Sequence, residues 1–412
     1  MRLLHTADWH LNDRLGRIDR TEDLRASVER IARYCLQERV DVLIVAGDLF
    51  SELARPDALR ETIRHWQEVF AEFLSRGGTI LTLTGNHDNE NFCQTLCHAM
   101  TLAAPTVGQP GAIVPAGRLY LAAEPALLRL QDRQGSGEVQ FFLMPYPTPS
   151  RYLRGDGTPK YTSPEEKNRL LVTAFEQTMH GVFADAAFRP DLPIVLGAHV
   201  NCYGSEVGPS LFRMTEAEDM VVHTETVWDR FAYVALGHIH KPQSLGGKTH
   251  VRYSGSIERM DLGEQHDQKG VVLFEVGPTG LLGEPTTLPL PATPIYEVTI
   301  TDPPTELPRL KTEYPEADRD LVNLHLTYTA GRDNLEAILR ELDQLFPRWY
   351  ARDWRESRQL LPGTLAVRTA NRSRSFAETV REYLSQELAH HPDEERAELL
   401  KLAEELIQEC ES

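Results

Sequence analysis

An α/β fold is predicted for this chain by two features of its first two thirds. Short β-rich apolar runs alternate with segments of helical spacing, and five of those runs stop at a small polar cluster. The runs are RLLHTAD at 2–8, DVLIVAGD at 41–48, TILTLTGN at 79–86, LPIVLGAH at 192–199 and AYVALGH at 232–238. All read as buried strands, because β-branched and leucine-rich stretches of this length suit a sheet covered on both faces. Between them, 21–39, 57–76 and 163–180 have helical spacing, the last opened by Ser163, Pro164 and Glu166 as a capping box.

From Pro285 to Pro294 the chain turns proline-rich, which places a boundary near 290. A smaller unit follows with IYEVTI, LVNLHLTY and GTLAVRT as its strands, and then, after NRSRS, two helical patterns at 375–389 and 393–411 separated by HHP. The expected organisation is therefore a main domain over 1–290, a small domain over 294–372 and a helical tail over 375–412. A length of 412 residues agrees with two or three domains at roughly 150 residues each.

Charged residues at 25% and hydrophobic ones at 41% are ordinary for a globular protein and exclude disordered and fibrous classes. The N-terminus lacks the basic start and long apolar stretch of a secretion signal, and no apolar run has the length of a membrane span. Five cysteines, odd in number and without a CxxC pair, suit free thiols in a reducing compartment, so the cytoplasm is expected. Cys93 and Cys97, one helical turn apart beside His98, read as buried thiols rather than a zinc site, for want of a further ligand pair.

A net charge of -18 disfavours broad nucleic-acid binding and restricts any such contact to local patches. The stretch from 348 to 374 holds seven Arg with Trp349, Tyr350 and Trp354 interleaved. It reads more simply as a solvated face with core aromatics than as a DNA-backbone contact.

Chemistry concentrates at the strand ends. Asp8 and His10 lie two apart, as do His238 and His240, so each pair points one way and both members reach one ion. Asp48 closes AGD; Asn86, His87 and Asp88 close TGNHD; His199 closes GAH. Any one of these residues is as well explained by a cap or a turn, but five such ends in equivalent positions are the makings of a metal site. Seven ligands exceed one four-coordinate ion and divide into two sites sharing a carboxylate. His87, beside Asn86, is the natural general acid or phosphate-stabilising group.

The blocks DWH, GDLF, TGNHD, GAH and GHIH, followed by YSGSIERMDLGE, resemble the calcineurin-like metallophosphoesterases, and within them the SbcD-type bacterial DNA-nuclease branch. The resemblance implies two mixed β-sheets packed as a sandwich and flanked by helices, with a small α+β capping domain that seats DNA. It also implies two divalent ions, manganese being the usual one, held by Asp8, His10, Asp48 and His240 and by Asp48, Asn86, His199 and His238, with Asp48 as the bridge.

The implied activity is double-strand exonuclease and single-strand or hairpin endonuclease in DNA end processing, repair and recombination. A homodimer is implied as well, its terminal helices docking on an SbcC-type ATPase. Apolar stripes at Phe376, Val380, Tyr383, Leu384 and Leu388, and at Leu399, Leu402, Leu406 and Cys410, are compatible with docking or with packing on the chain's own domains. Many relatives carry His where this chain has Ser51, which leaves His87 with less help. Competing functions are a phosphatase for phosphoproteins or small nucleotides, and a chiefly structural subunit.

Overall fold

The computed structural model describes residues 1–51, 54–103, 113–154, 161–208, 220–223, 227–357 and 399. The chain opens with β1 (Arg2–Thr6), the hairpin β2 (Arg14–Leu15) and β3 (Ile18–Asp19), α1 (Thr21–Gln37), β4 (Val42–Ala46), α2 (Pro56–Ser75), β5 (Thr79–Leu83) and α3 (Glu90–Ala103). It continues through β6 (Leu119–Ala122), β7 (Ala126–Gln131), β8 (Glu138–Met144), α4 (Pro149–Tyr152), α5 (Pro164–Gly181), β9 (Ile194–His199), β10 (Asn201–Cys202) and β11 (Val221–Val222). Then come β12 (Tyr233–Gly237), β13 (Gln243–Leu245), β14 (Lys248–Tyr253), β15 (Gly270–Gly277) and β16 (Gly280–Pro289). The last elements are β17 (Ile295–Ile300), α6 (Pro303–Glu313), β18 (Leu321–Tyr328), α7 (Leu335–Leu345) and β19 (Trp349–Glu356).

Two mixed six-stranded sheets, ordered β16-β15-β1-β4-β5-β6 and β13-β14-β12-β9-β8-β7, carry the main body. Their facing sides share one apolar layer containing Leu3, Ile44, Leu81, Phe141, Val195, Ala235 and Val272, with Tyr233 stacked on Phe274 at 3.7 Å. The outer side of the first sheet is covered by α1 and α2 through Leu24, Val28, Ile31, Trp66, Phe70 and Phe73. α5 covers the second through Phe175 and Met179. Strands covered on both sides lose alternation, which is why every residue of β4, β5, β9 and β12 is buried.

The five strands and three helices expected in the first two thirds are present. At the start of α5 the Ser163 hydroxyl accepts from Glu166 N–H at 3.2 Å, while the Glu166 carboxylate accepts from Thr162 N–H at 2.8 Å, one residue earlier than a strict capping box. The proline-rich stretch differs from expectation: Pro285 and Pro289 lie in β16, an outermost strand. An edge tolerates missing N–H donors, and the β15–β16 register shifts between Leu273 and Glu275.

β17, β18 and β19 form a separate three-stranded sheet with its own core of Val298, Ile300, Leu324, Leu342 and Phe346. α6 begins with Pro303 and Pro304, where missing N–H groups cost nothing, although Pro308 lies inside it. The described part of the Arg-rich stretch is 348–357, containing β19, and two of its cations are met within the chain: Arg348 pairs with Asp23 at 2.5 Å and Arg352 with Asp343 at 2.7 Å. One compact unit comprises Met1–Thr327 and Asn334–Trp354; the other is described only at 328–333, 355–357 and 399. GTLAVRT, most of the Arg-rich stretch and the tail over 375–412 lie outside the described residues, except Leu399.

β1 also buries a polar ring. His5 Nδ1 lies 3.1 Å from the Tyr233 hydroxyl and Nε2 3.2 Å from the Leu236 carbonyl. Burial outweighs the Leu236 bond and pushes the imidazole down to about 3. An unfolded histidine takes up its proton near about 6.5, so between these values the unfolded state binds more protons than the folded one. Stability from this group is therefore complete above about pH 6.5 and falls as pH drops, at about 1.4 kcal/mol per pH unit. The urea midpoint of metal-free protein is expected to drop more steeply between about pH 7.5 and about pH 5.5 than that of His5→Leu; parallel declines would refute the assignment.

Candidate metal centre

β1, β4 and β5 run parallel in one sheet and β9 and β12 run parallel in the other. Their C-terminal ends meet across the sandwich so closely that a Cβ on Gly237 would overlap the Ala46 carbonyl oxygen, and within the first sheet one on Gly85, past β5, would overlap the Asp48 carboxylate, past β4. Beyond β1 and β4 the two loops stay hydrogen-bonded, Trp9 N–H and His10 N–H both donating to Asp48 O at 2.8 and 2.9 Å. This arrangement gathers all seven residues of ligand type into one region.

His10 Nε2 and His240 Nε2 face each other at 3.1 Å, and together with Asp8 offer ligand atoms within 4.8 Å of one another. Asn86 Oδ1 lies 3.0 Å from both His199 Nε2 and His238 Nδ1. Between the two groups Asp48 Oδ2 is 3.2 Å from His199 Nε2 and 3.6 Å from His10 Nε2. Asp48 Oδ1 accepts the backbone N–H of His87 at 2.9 Å, and Asp8 accepts that of His238 at 3.0 Å.

The backbone is strained at these positions. Among the described residues six non-glycines have positive φ, and four of them are Asp8, His10, Asp48 and His238. Each such conformation costs on the order of 1–3 kcal/mol and persists where surrounding structure enforces it, commonly at functional sites. Here the enforcing structure is the zipped loops and the intersheet contact.

Electrostatics point the same way. Burial would raise the Asp48 carboxyl, but His199 and His10 hold it well below the usual range. Burial pulls His199 down, yet Asp48 and Asp8 bring it up to about 9. For His240 burial is likewise outweighed, by Glu264 and Asp8, to about 9. His10 is pushed well below its ordinary value by burial, against the pull of Asp48. Buried carboxylates faced by imidazoles, rather than by Arg or Lys, form a mixed N/O donor set that fits divalent metal ions, and His199 and His240 would release protons on binding them.

His87 sits at the mouth, its ring edge-on to His10 at a centroid distance of 5.0 Å, in a pocket of about 970 Å³. Asp88 accepts from Phe50 N–H and Gly85 N–H at 2.9 and 2.8 Å, bracing the two loops. Ser51 is buried and its hydroxyl donates to Asp13 Oδ1 at 3.0 Å. Cys93 is a buried thiol and Cys97 donates to Leu121 O at 3.4 Å, both free.

Sequence reading missed two neighbours. Tyr146, just past β8, lays its ring 5.7 Å from His238 and 6.1 Å from His199; its place at a strand end was the available signal. Glu264 lies 2.8 Å from His240 Nδ1, a contact across 24 residues that no spacing rule announces.

Residues 1–242 match the family model described as calcineurin-like phosphoesterase. The chain is 30% identical over 304 residues to the SbcD subunit of the SbcCD nuclease from Rhodobacter capsulatus, covering 71% of this chain and 69% of that protein. It is 26% identical over 283 residues to the protein of the same name from Bacillus subtilis, covering 68% and 67%. Ligand-type side chains at five strand ends, the sandwich that gathers them and these similarities agree that the chain belongs to the calcineurin-like phosphoesterases, as an SbcD-type member.

Proposed function

We propose that the chain is the nuclease subunit of an SbcCD-like complex, cleaving DNA phosphodiesters as a double-strand exonuclease and a single-strand or hairpin endonuclease in end processing, repair and recombination. The observation that carries this reading is the convergence of carboxylate, amide and imidazole donors on one pocket with His87 at its mouth. One ion would be held by Asp8, His10, Asp48 and His240 and the other by Asp48, Asn86, His199 and His238. The position of Asp48 Oδ2 between His199 and His10 supports its role as the bridge. Manganese is taken from the family resemblance, since mixed nitrogen and oxygen donors equally admit iron or zinc.

Paired divalent ions polarise a phosphoryl group and make hydroxide available near neutral pH. The chain's own residues do the rest. His87, which lines the pocket, donates a proton to the leaving oxygen or stabilises its charge. The two loops braced by Asp88 hold Asn86 and Asp48 in place. Asp13, Glu206, Asp261 and Asp267 line the pocket, against Lys241 as the basic side chain, so these walls alone repel a phosphate backbone. Attraction for DNA at this point must come from bound cations, which couples substrate binding to metal loading.

Asn323 and Tyr350 of the small sheet also line the pocket, supporting a DNA-seating role for the domain over 294–372. The segment 375–412 would dock on an SbcC-type ATPase, in a homodimeric assembly in the cytoplasm. No helix among the described residues is long and apolar enough to cross a membrane.

Purified protein with manganese is expected to degrade linear duplex DNA and to turn over a generic aryl phosphomonoester at least about tenfold more slowly, a difference of about 1.4 kcal/mol in barrier. Monoester hydrolysis with intact DNA would replace the nuclease reading with that of a phosphatase.

A further inference from the structure

The segment from Ser254 to Glu264 contributes no ligand of its own to the centre, yet its last residue is buried beside one. Glu264 is 5% exposed and ends a short 3-10 turn, Leu262–Glu264, capped by the Asp261 side chain accepting from Gly263 N–H at 2.8 Å. Its Oε1 lies 2.8 Å from His240 Nδ1. Its Oε2 lies 2.6 Å from Lys269 Nζ and accepts from Ser256 Oγ at 3.0 Å and Met260 N–H at 3.2 Å. Lys269 is itself 2% exposed and also donates to the His240 carbonyl oxygen at 2.9 Å. His240 is thus gripped twice, through its ring and through its backbone.

From this geometry we infer that Glu264, held by Lys269, is a positioning residue for His240, fixing the ring tautomer that directs Nε2 at the metal centre. The inference rests on the proposed role of His240 as a ligand. An ionised carboxylate only accepts hydrogen bonds, so a hydrogen on Nδ1 must face Glu264, and the proton that His240 would release on metal binding must leave Nε2, the atom facing His10 at 3.1 Å. His199 is oriented by a different device, its Nδ1 lying 2.7 Å from the Ala46 carbonyl. Carboxylates behind ligating imidazoles fix ring orientation and raise ligand basicity. Folding alone does not call for the pair, since buried ion pairs are commonly no more stabilising than apolar residues of similar size.

Glu264→Gln separates positioning from packing. The side chain keeps its shape, but Lys269 as a donor claims the amide oxygen and turns the amide NH₂ toward His240 Nδ1, which must then accept. The hydrogen moves to Nε2 and the ligand atom is blocked. Manganese titration of the full chain, followed by calorimetry and by the electron paramagnetic resonance signal of the spin-coupled pair, is expected to show one site weakened about 10- to 100-fold and the other retained. An isotherm like that of the unsubstituted chain would overturn the inference. Should Glu264→Gln not fold, Glu264→Leu combined with Lys269→Met removes both charges at similar volume and is expected to weaken the same site, unchanged affinity again refuting it. His240→Ala isolates the underlying reading: if it leaves both sites intact, His240 is no ligand, whereas a site lost in His240→Ala and kept in Glu264→Gln sinks only the positioning role.

Discussion

Asp48→Asn is expected to lower nuclease kcat/KM by about a thousandfold or more and to reduce manganese stoichiometry below two. The substitution is nearly isosteric, and asparagine is among the few residues that accept the left-handed backbone at φ +50, so the loop has no cause to move. What disappears is one buried negative charge placed 3.2 Å from His199 Nε2 and 3.6 Å from His10 Nε2, where the two halves of the donor set meet. Metal-centred stabilisation of a phosphoryl transition state contributes several kcal/mol, and about 4 kcal/mol corresponds to about a thousandfold. Calorimetric titration beside a duplex-degradation assay checks both halves of the claim. Two ions bound at normal affinity, with activity within about tenfold, would remove Asp48 from the bridging position.

The second large effect is expected from His87→Ala: a fall in kcat of about 10²- to 10⁴-fold, the usual contribution of a positioned acid or base, with both metal sites retained. The separation follows from which atoms touch what. His87 contacts Asp48 through its backbone N–H, which alanine keeps, while its ring stands against His10 at the pocket mouth. Ser51 offers no substitute, because its hydroxyl is committed to Asp13 and a hydroxyl does not supply a proton as imidazolium does. Single-turnover cleavage measured with saturating manganese isolates the chemical step. Unchanged single-turnover cleavage would exclude an acid–base role, and loss of metal binding would instead make His87 part of the ligand scaffold.

Much of this centre was legible in the sequence, for a specific reason. Strands buried on both faces are largely apolar, so a carboxylate, amide or imidazole at or just past the end of such a run marks where it stops, and parallel strands put their ends on one edge. Asp8, Asp48, Asn86, His199 and His238 all announce themselves in that way. The helices over 21–39, 57–76 and 163–180 were readable from apolar spacing and, in the last, from its opening cap. By contrast Pro285 and Pro289 suggested a break where the fold has an edge strand, because proline reports a missing donor and says nothing about which side of the strand needs one. In the small domain α6 and α7 went unread beside the strands, the first for its three prolines.

By itself, then, the sequence determined the α/β class, the strand ends that carry chemistry and the residue types available there, since burial and backbone periodicity leave local traces. Only the tertiary structure decided how those ends combine. It set Asp48 between His10 and His199, forced four of the site's residues into left-handed backbone, brought Tyr146 against two imidazoles, and turned Glu264 and Lys269 onto His240. Each is a contact between segments far apart in the chain, fixed by the packing of two sheets whose strand ends converge, and no local pattern encodes that distance.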